Sequence, residues 1–316
     1  MNLFLKNKKI KGDASFRNFF RKKKGNFSSI IVFAKKEKLK NLIIYDSVNK
    51  ILIKNKILAP RLYQQNYQKN YIEIQDFGDD TLYKILKKNS KKKFFYFKKI
   101  LKILNQIQLI KDKKIKNFYK KNYLIPKYEN KILIKEAKLF CDWYLINKLP
   151  KNKITKFRKK FRIIINKLCK KLEFKNDTFV HRDFHVSNLM LVKEKLGVID
   201  SQDALIGNRA YDLASLIDDV RLKTTISFKN KVFKAFIKNQ KKINKKKFKN
   251  DFEILSILRN LKIIGIFTRL AIRDKKKNYL KLIPYAWSLI NLRLSKNIIF
   301  ADLKQLLKEN FKGKIK

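Results

Sequence analysis

The sequence predicts an α+β fold in two lobes: a small β-rich N-terminal lobe over residues 1–77 and a larger, mainly helical C-terminal lobe over residues 78–316. Three observations carry this expectation. Before Gly78, apolar residues fall in short aromatic and β-branched runs broken by Gly25-Asn26, Pro60 and lysines, the pattern of strands and turns. After Thr81, they recur at helical spacing along longer segments. Between Phe179 and Ala204 the apolar pieces shorten again and enclose a polar loop that holds both histidines of the chain.

In the first lobe, Phe16–Arg21, Ser28–Ala34 and Asn41–Tyr45 read as strands. Asn49–Leu58 reads as a helix ended by Ala59-Pro60, because proline cannot continue a helix. Arg61–Tyr67 and Tyr71–Asp76 read as two more strands, and Ile74–Phe77 leads into the second lobe, with Gly78 permitting a sharp change of direction. Helices follow at Thr81–Lys88, Phe94–Ile110, Ile132–Leu149, Ile154–Leu172, Tyr211–Ile217, Val232–Gln240, Asp251–Ile272 and Leu280–Asn291. In Phe94–Ile110, Phe97, Ile100, Leu101, Leu104 and Ile107 form one stripe. The lysine-rich Lys241–Asn250 reads as an exposed connection.

The chemistry concentrates in Phe179-Val-His-Arg-Asp-Phe-His-Val-Ser-Asn-Leu-Met-Leu191 and Leu196-Gly-Val-Ile-Asp200. The first stretch reads as a loop carrying His181, Arg182, Asp183, His185 and Asn188. The second is the return strand of a short hairpin, ending on a carboxylate. Asp183 and Asn188 are separated by four residues, which suits a tight loop that turns both side chains to one side. Asp200 meets them across the hairpin. A carboxylate that receives or orients a hydroxyl proton, with an amide and a second carboxylate for Mg²⁺, is what phosphoryl transfer requires. The pattern H-R-D-x-x-x-x-N is that of a kinase catalytic loop.

Composition bounds the remainder. With 45% hydrophobic residues, the chain can build a globular core despite 33% charged residues. Cys141 and Cys169 form no disulfide or metal pattern and suggest a reducing compartment. No secretory leader and no uncharged span long enough to cross a bilayer is legible, so a cytoplasmic protein without a membrane partner is expected. The formal charge of +55 admits two explanations. One is codon bias, since Lys, Asn, Ile, Phe and Tyr abound while Gly and Pro are scarce. The other is selected polyanion binding. Because the lysines are spread along the whole chain, the contact expected with nucleic acid is nonspecific and salt-sensitive.

Together, His181-Arg-Asp-Phe-His-Val-Ser-Asn188, Asp200-Ser-Gln-Asp203 and Tyr211-Asp-Leu-Ala-Ser215 resemble the aminoglycoside phosphotransferase (APH) superfamily, which has a protein-kinase-like fold. Within it the chain looks most like the bacterial anomeric sugar kinases acting on N-acetylmuramate and N-acetylglucosamine. That narrower likeness rests on Gly12-Asp-Ala-Ser-Phe-Arg17, Asp76-Phe-Gly-Asp79, Lys135-Glu-Ala-Lys-Leu-Phe140 and Arg259-Asn-Leu-Lys-Ile-Ile-Gly-Ile-Phe-Thr-Arg269. The resemblance implies ATP in a cleft between the lobes, Asp183 as base or hydroxyl-positioning residue, and Asn188 and Asp200 as Mg²⁺ ligands. His181, Arg182, His185 and Asp212 would support the loop, Asp212 from a buried helix. Gln75, Asp76 and Phe77 would meet adenine through backbone groups. Ala14-Ser15 would offer N–H groups to phosphate. The acceptor would lie among Glu136, Asp203, Arg259, Asn260 and Arg269, with Arg259 or Arg269 suited to a carboxylate.

Two departures from the pattern stand out. The strand expected to carry a phosphate-clamping lysine, Asn41–Asp46, has none, and neither Lys50 nor Lys54 can be chosen in its place. Ser201 stands where an aromatic residue usually follows the metal-binding aspartate, which implies looser packing under the site. The expected activity is ATP-dependent phosphorylation of the anomeric hydroxyl of either sugar, feeding cell-wall recycling. The alternatives are a kinase of the same fold for an amino alcohol or aminoglycoside, and a degenerate kinase serving as a binding module.

Overall fold

The structure, a computed structural model, describes residues 7–10, 17–34, 38–89, 91–240, 243–295 and 297–315. The chain divides into two compact units, residues 1–126 with 179–206 and residues 127–178 with 207–316.

The first unit contains an antiparallel five-stranded sheet of β1 (Lys8–Ile10), β2 (Asn18–Lys24), β3 (Phe27–Phe33), β4 (Leu62–Asn66) and β5 (Tyr71–Gln75), in the order β1-β2-β3-β5-β4. Gly25, with φ of +55°, turns β2 into β3. Helix α1 (Lys38–Lys54) covers one face of the sheet. Its Leu42 and Tyr45 pack with Ile30, Val32, Ile72 and Ile74. This corrects the expected strand at Asn41–Tyr45 and extends the expected helix toward the N-terminus. Leu42-Ile-Ile-Tyr45 has local strand propensity, but Leu42, Tyr45, Val48 and Leu52 are all buried. Their spacing is helical, and burial of that stripe against the sheet outweighs the propensity of four residues.

Helices α2 (Leu82–Lys88) and α3 (Lys93–Gln108) follow. The five apolar residues expected on the α3 stripe are all buried. A small hairpin that the periodicity did not disclose joins β6 (Lys114–Lys116) to β7 (Asn122–Leu124). The unit is completed by β8 (Thr178–Val180), β9 (Leu189–Val192), β10 (Lys195–Val198) and β11 (Leu205–Gly207), paired as β9 with β10 and β8 with β11.

The second unit is helical: α4 (Asn130–Leu139), α5 (Lys151–Lys170), α6 (Tyr211–Ile217), α7 (Ile226–Lys238), α8 (Lys245–Ile272), α9 (Ile283–Leu294) and α10 (Ala301–Asn310). Helix α8 is buried along nearly all its length and packs against α4, α6 and α9. It begins at Lys245, where the Asn244 side chain accepts from the Lys247 N–H, so Lys245–Asn250 of the expected connection is helical. The expected helix Ile132–Leu149 instead ends at Leu139 and passes through a π-helical turn, Phe140–Tyr144. At that junction Gly265 of α8 meets the backbone; a Cβ there would lie 2.3 Å from the Leu139 carbonyl. Asp218 is fully buried beside Arg293, Lys229 and Ser256. Burial favours its neutral form, but Arg293 and Lys229 outweigh burial and hold the carboxyl below its ordinary value.

Among the described residues no helix is long and apolar enough to cross a membrane. Both cysteines are buried and unpaired, and burial pushes their thiols up to about 12.

Because backbone cannot yield as a flexible side chain would, Gly265→Ala is expected to cost about 2 kcal/mol or more. Urea unfolding of the variant against the wild type measures it, and an unchanged midpoint would contradict the close approach.

Candidate active site

The site is built on the hairpin β9–β10. Its register pairs Leu189 with Val198 and Val192 with Lys195. Lys193 and Glu194 make the turn, both with positive φ. Beyond the paired ends, the Ile199 N–H donates to the Asn188 carbonyl at 3.0 Å. Asn188 and Asp200 therefore emerge at the same open end of one hairpin. The hairpin is anchored on both sides: the Val198 N–H donates to Leu58 and the Leu191 N–H to Asp80, each at 2.8 Å. Gly197 matters here, since a Cβ would lie 2.6 Å from the Phe77 ring. The ring of Phe77 thus rests on the hairpin backbone.

The loop ahead of β9 closes on itself. Asn188 Nδ2 donates to the Asp183 carbonyl at 3.0 Å, which joins the two residues and leaves Asn188 Oδ1 as the atom available to a cation. Arg182 and Asp200 both have left-handed backbone, with φ of +75° and +63°. Aspartate tolerates this region better than arginine, and such strain concentrates at functional sites. His181 is fully buried and its Nε2–H donates to the Ile199 carbonyl at 3.1 Å. Burial pushes its imidazole below the ordinary value, against the pull of Asp183 and Asp200. His185 is also buried.

A chain of polar side chains then runs from the sheet to the loop. Arg17 Nη2 donates to Asp200 Oδ1 at 2.5 Å and Nη1 to Gln202 Oε1 at 2.7 Å. Gln202 Nε2 donates to Asp203 Oδ2 at 2.9 Å, and Arg182 Nη1 to Asp203 Oδ1 at 3.3 Å. Asp203, expected near the acceptor, is thus engaged by Gln202 and by Arg182 of the loop that carries Asp183. Ser201 is fully buried and donates to Asn49 Oδ1 at 2.6 Å, while Asn49 Nδ2 donates to the Pro60 carbonyl. Where an aromatic residue would pack, a hydrogen bond ties the turn after β10 to α1, so the site is not loose there. Arg17 and Gln202 stand in quoted motifs and Asn49 at the start of an expected helix, but the sequence assigned none of them a role at the site. Arg17 lies just before β2, and its guanidinium packs over the rings of Phe19 and of Tyr45 on α1.

At the end of β5, the Gln75 N–H donates to the Arg61 carbonyl at 2.9 Å. The Asp76 carboxylate accepts from Ser28, Arg21 and the Gly78 N–H. Burial alone would raise its pKa, but these donors outweigh burial and hold it below the usual carboxylate range. The Asp76 side chain therefore has a structural task, with Arg21 also holding Asp79 at 2.7 Å. Ser15, expected to meet phosphate, lies outside the described residues.

The other expected residues belong to the second unit. Asp212 is buried in the first turn of α6. Glu136 lies buried between Lys262, at 2.9 Å, and the Tyr128 hydroxyl. Arg259 is buried with Nη1 unpartnered among the described residues, as are Asn260 Oδ1 and Arg269 Nε. Burial, then Arg273, lowers the Arg269 pKa. Arg259 and Arg269 are ten residues apart on one helix, about 15 Å along its axis. A single small carboxylate cannot meet both.

No group of three His, Cys, Asp or Glu among the described residues has metal-holding geometry. Mg²⁺ does not require one, because it binds through one or two carboxylates with substrate phosphates and water. The partly exposed Asp200 carboxylate and Asn188 Oδ1 supply oxygen donors of the right kind.

A model of the phosphotransferase enzyme family, APH, matches residues 6–241. The chain belongs to this family. An N-acetylmuramate/N-acetylglucosamine kinase of Neisseria meningitidis serogroup B is 26% identical over 281 residues, which cover 86% of this chain and 80% of that one. A protein of the same name from Pseudomonas aeruginosa is 26% identical over 304 residues, covering 93% and 86%. Among solved structures, ADP-bound aminoglycoside phosphotransferase APH(2'')-Ib shares the fold with a TM-score of 0.59 at 14% identity, covering 92% of this chain and 95% of that one. The fold is protein-kinase-like, and the chain is an ATP-dependent phosphotransferase acting on a hydroxyl group.

A histidine whose pKa is depressed on folding contributes stability that is full above its unfolded value of about 6.5 and declines as pH falls below it. The wild type is therefore expected to lose more stability than His181→Gln between pH 7.5 and 5.5, by ~1 kcal/mol. Urea titrations at the two pH values test this; equal losses would show that His181 protonates freely in the fold.

Proposed function

We propose that this enzyme phosphorylates the anomeric hydroxyl of N-acetylmuramate or N-acetylglucosamine, in the cytoplasm, as a step that recovers cell-wall sugars. The carrying observation is the convergence of Asp183, Asn188 and Asp200 at one end of a backbone-locked hairpin. Support for the acceptor comes from the two relatives named for these sugars, which match most of the chain. Residues 1–77 would form the nucleotide-binding lobe and residues 78–316 the catalytic and acceptor lobe.

Asp183 orients the acceptor hydroxyl and takes its proton as the oxygen attacks. An anomeric hydroxyl is more acidic than an ordinary alcohol, so orientation is the larger share of the task. Asn188 Oδ1 and Asp200 would hold Mg²⁺, which when bound neutralises charge on the transferred phosphate. His181 and Arg182 hold the loop through Ile199 and Asp203, and Asp212 would brace it. Gln75 and Phe77 would meet adenine by their backbone. Arg259 is the better candidate for the lactyl carboxylate of N-acetylmuramate, being buried with an unpartnered nitrogen. Glu136, neutralised by Lys262, disfavours a cationic acceptor such as an amino alcohol.

The test is ADP release by purified protein with Mg-ATP and N-acetylmuramate, N-acetylglucosamine or no sugar, with Asp183→Asn alongside. Sugar-dependent release giving a 1-phosphate is expected, as is loss of turnover in Asp183→Asn with nucleotide binding kept. An active Asp183→Asn enzyme would remove the mechanism. Nucleotide binding without release on either sugar would remove the acceptor.

A further inference from the structure

Phosphoryl transfer needs a cation on the nonreacting phosphates, and neither sequence candidate supplies it. Lys50 is paired with Asp46 on its own helix at 2.7 Å, and Lys54 with Asp112 at 2.6 Å. Strand β3, Phe-Ser-Ser-Ile-Ile-Val-Phe, contains no lysine. Lys22 of β2 is held by Glu73 at 3.0 Å. Arg17 is different, because its partner is the proposed metal ligand itself.

We propose that Arg17 is the phosphate-clamping cation of this enzyme, kept by Asp200 until a nucleotide phosphate takes it over. This rests on the phosphotransferase reading of the site. Arg17 stands immediately before β2, at the end of the segment expected to cover the phosphates. Its guanidinium is packed over the rings of Phe19 and Tyr45, at 5.8 and 5.7 Å, and only 4% of its side chain is exposed. Those contacts fix the plane of the fork, so that its donors point at Asp200 and Gln202. A planar fork of N–H donors suits phosphate oxygens as well as it suits a carboxylate.

The charge arithmetic favours an exchange. In the free protein the Asp200 carboxylate, 35% exposed, is balanced by Arg17. When a divalent cation sits on Asp200, that balance no longer needs the guanidinium. Arg17 is then free to follow the phosphates without leaving the Asp200 carboxylate uncompensated. Gln202, hydrogen-bonded to Asp203 and through it to Arg182, holds the other side of the fork during the exchange.

Isothermal titration of the full chain with Mg-ADP and, separately, adenosine tests this, with melting temperature recorded for each variant. Arg17→Gln is expected to weaken Mg-ADP about tenfold or more, with adenosine affinity within about twofold of wild type because adenosine has no phosphate for the guanidinium. Arg17→Lys is expected to lose part of the Mg-ADP affinity and to decide the matter if Arg17→Gln does not fold. Lys54→Gln is expected to bind both ligands as the wild type does. Wild-type Mg-ADP affinity in the folded Arg17 variants, or equal losses for Mg-ADP and adenosine, would reduce Arg17 to a structural counter-ion and overturn the proposal. Failure of the wild type to bind either ligand would instead remove the phosphotransferase reading on which the proposal stands.

Discussion

The register of β9 against β10 is the constraint on which the site depends. Side chains of a strand alternate between faces, so a slip of one residue would turn Asn188 and Asp200 apart. Five backbone positions prevent it: Leu189, Met190, Leu191 and Val192 pair in register with β10, and the Ile199 N–H extends the ladder to Asn188. Leu58 and Asp80 then fasten each strand to the remainder of its unit. The backbones of Asn188 and Asp200 are thus placed together by ladder hydrogen bonds, and the Asn188 side chain ties Asp183 to them through its carbonyl. That economy explains why a hairpin of only two short strands suffices.

Acids are scarce in the chain, and in each unit several of those described are matched to a basic side chain. The chain has 25 acidic residues against 80 basic ones. Asp200 is matched to Arg17, Asp76 to Arg21, Glu73 to Lys22, Glu136 to Lys262 and Asp218 to Arg293. The excess of lysine lies elsewhere, on solvated helix faces such as Lys245–Lys247. Net charge therefore says little about the interior, where burial selects for balance. Three of the five matches, at Asp200, Asp76 and Glu73, occur in the first unit and tie the sheet to itself or to the catalytic hairpin.

Sequence alone specifies structure where a short motif has only one local solution. The polar loop, the hairpin and the carboxylate after it were legible because apolar runs of fixed length bracket the polar residues. The buried stripe of α3 was legible because its period is strong. At Asn41–Tyr45 strand propensity and helical spacing coexist, and only the sheet beneath Leu42 and Tyr45 decides between them. At Phe140–Tyr144 the close approach of Gly265, distant in sequence, accompanies a change of helix type. The packing at Ser201 is set in the same way: its partner Asn49 is more than a hundred residues away, and no local rule connects them.

By itself the sequence determined the order and spacing of Asp183, Asn188 and Asp200, the residues proposed for the reaction, because spacing is a property of the chain. It also determined the family, through motifs set by local loop and turn chemistry. Only the tertiary structure decided their electrostatic partners. That Asp200 faces Arg17 rather than a lysine, that Asp203 serves the loop, and that Lys50 and Lys54 are committed to Asp46 and Asp112 all depend on contacts between distant segments. An ion pair is specified by distance and burial in space, and neither quantity is written in the order of the residues.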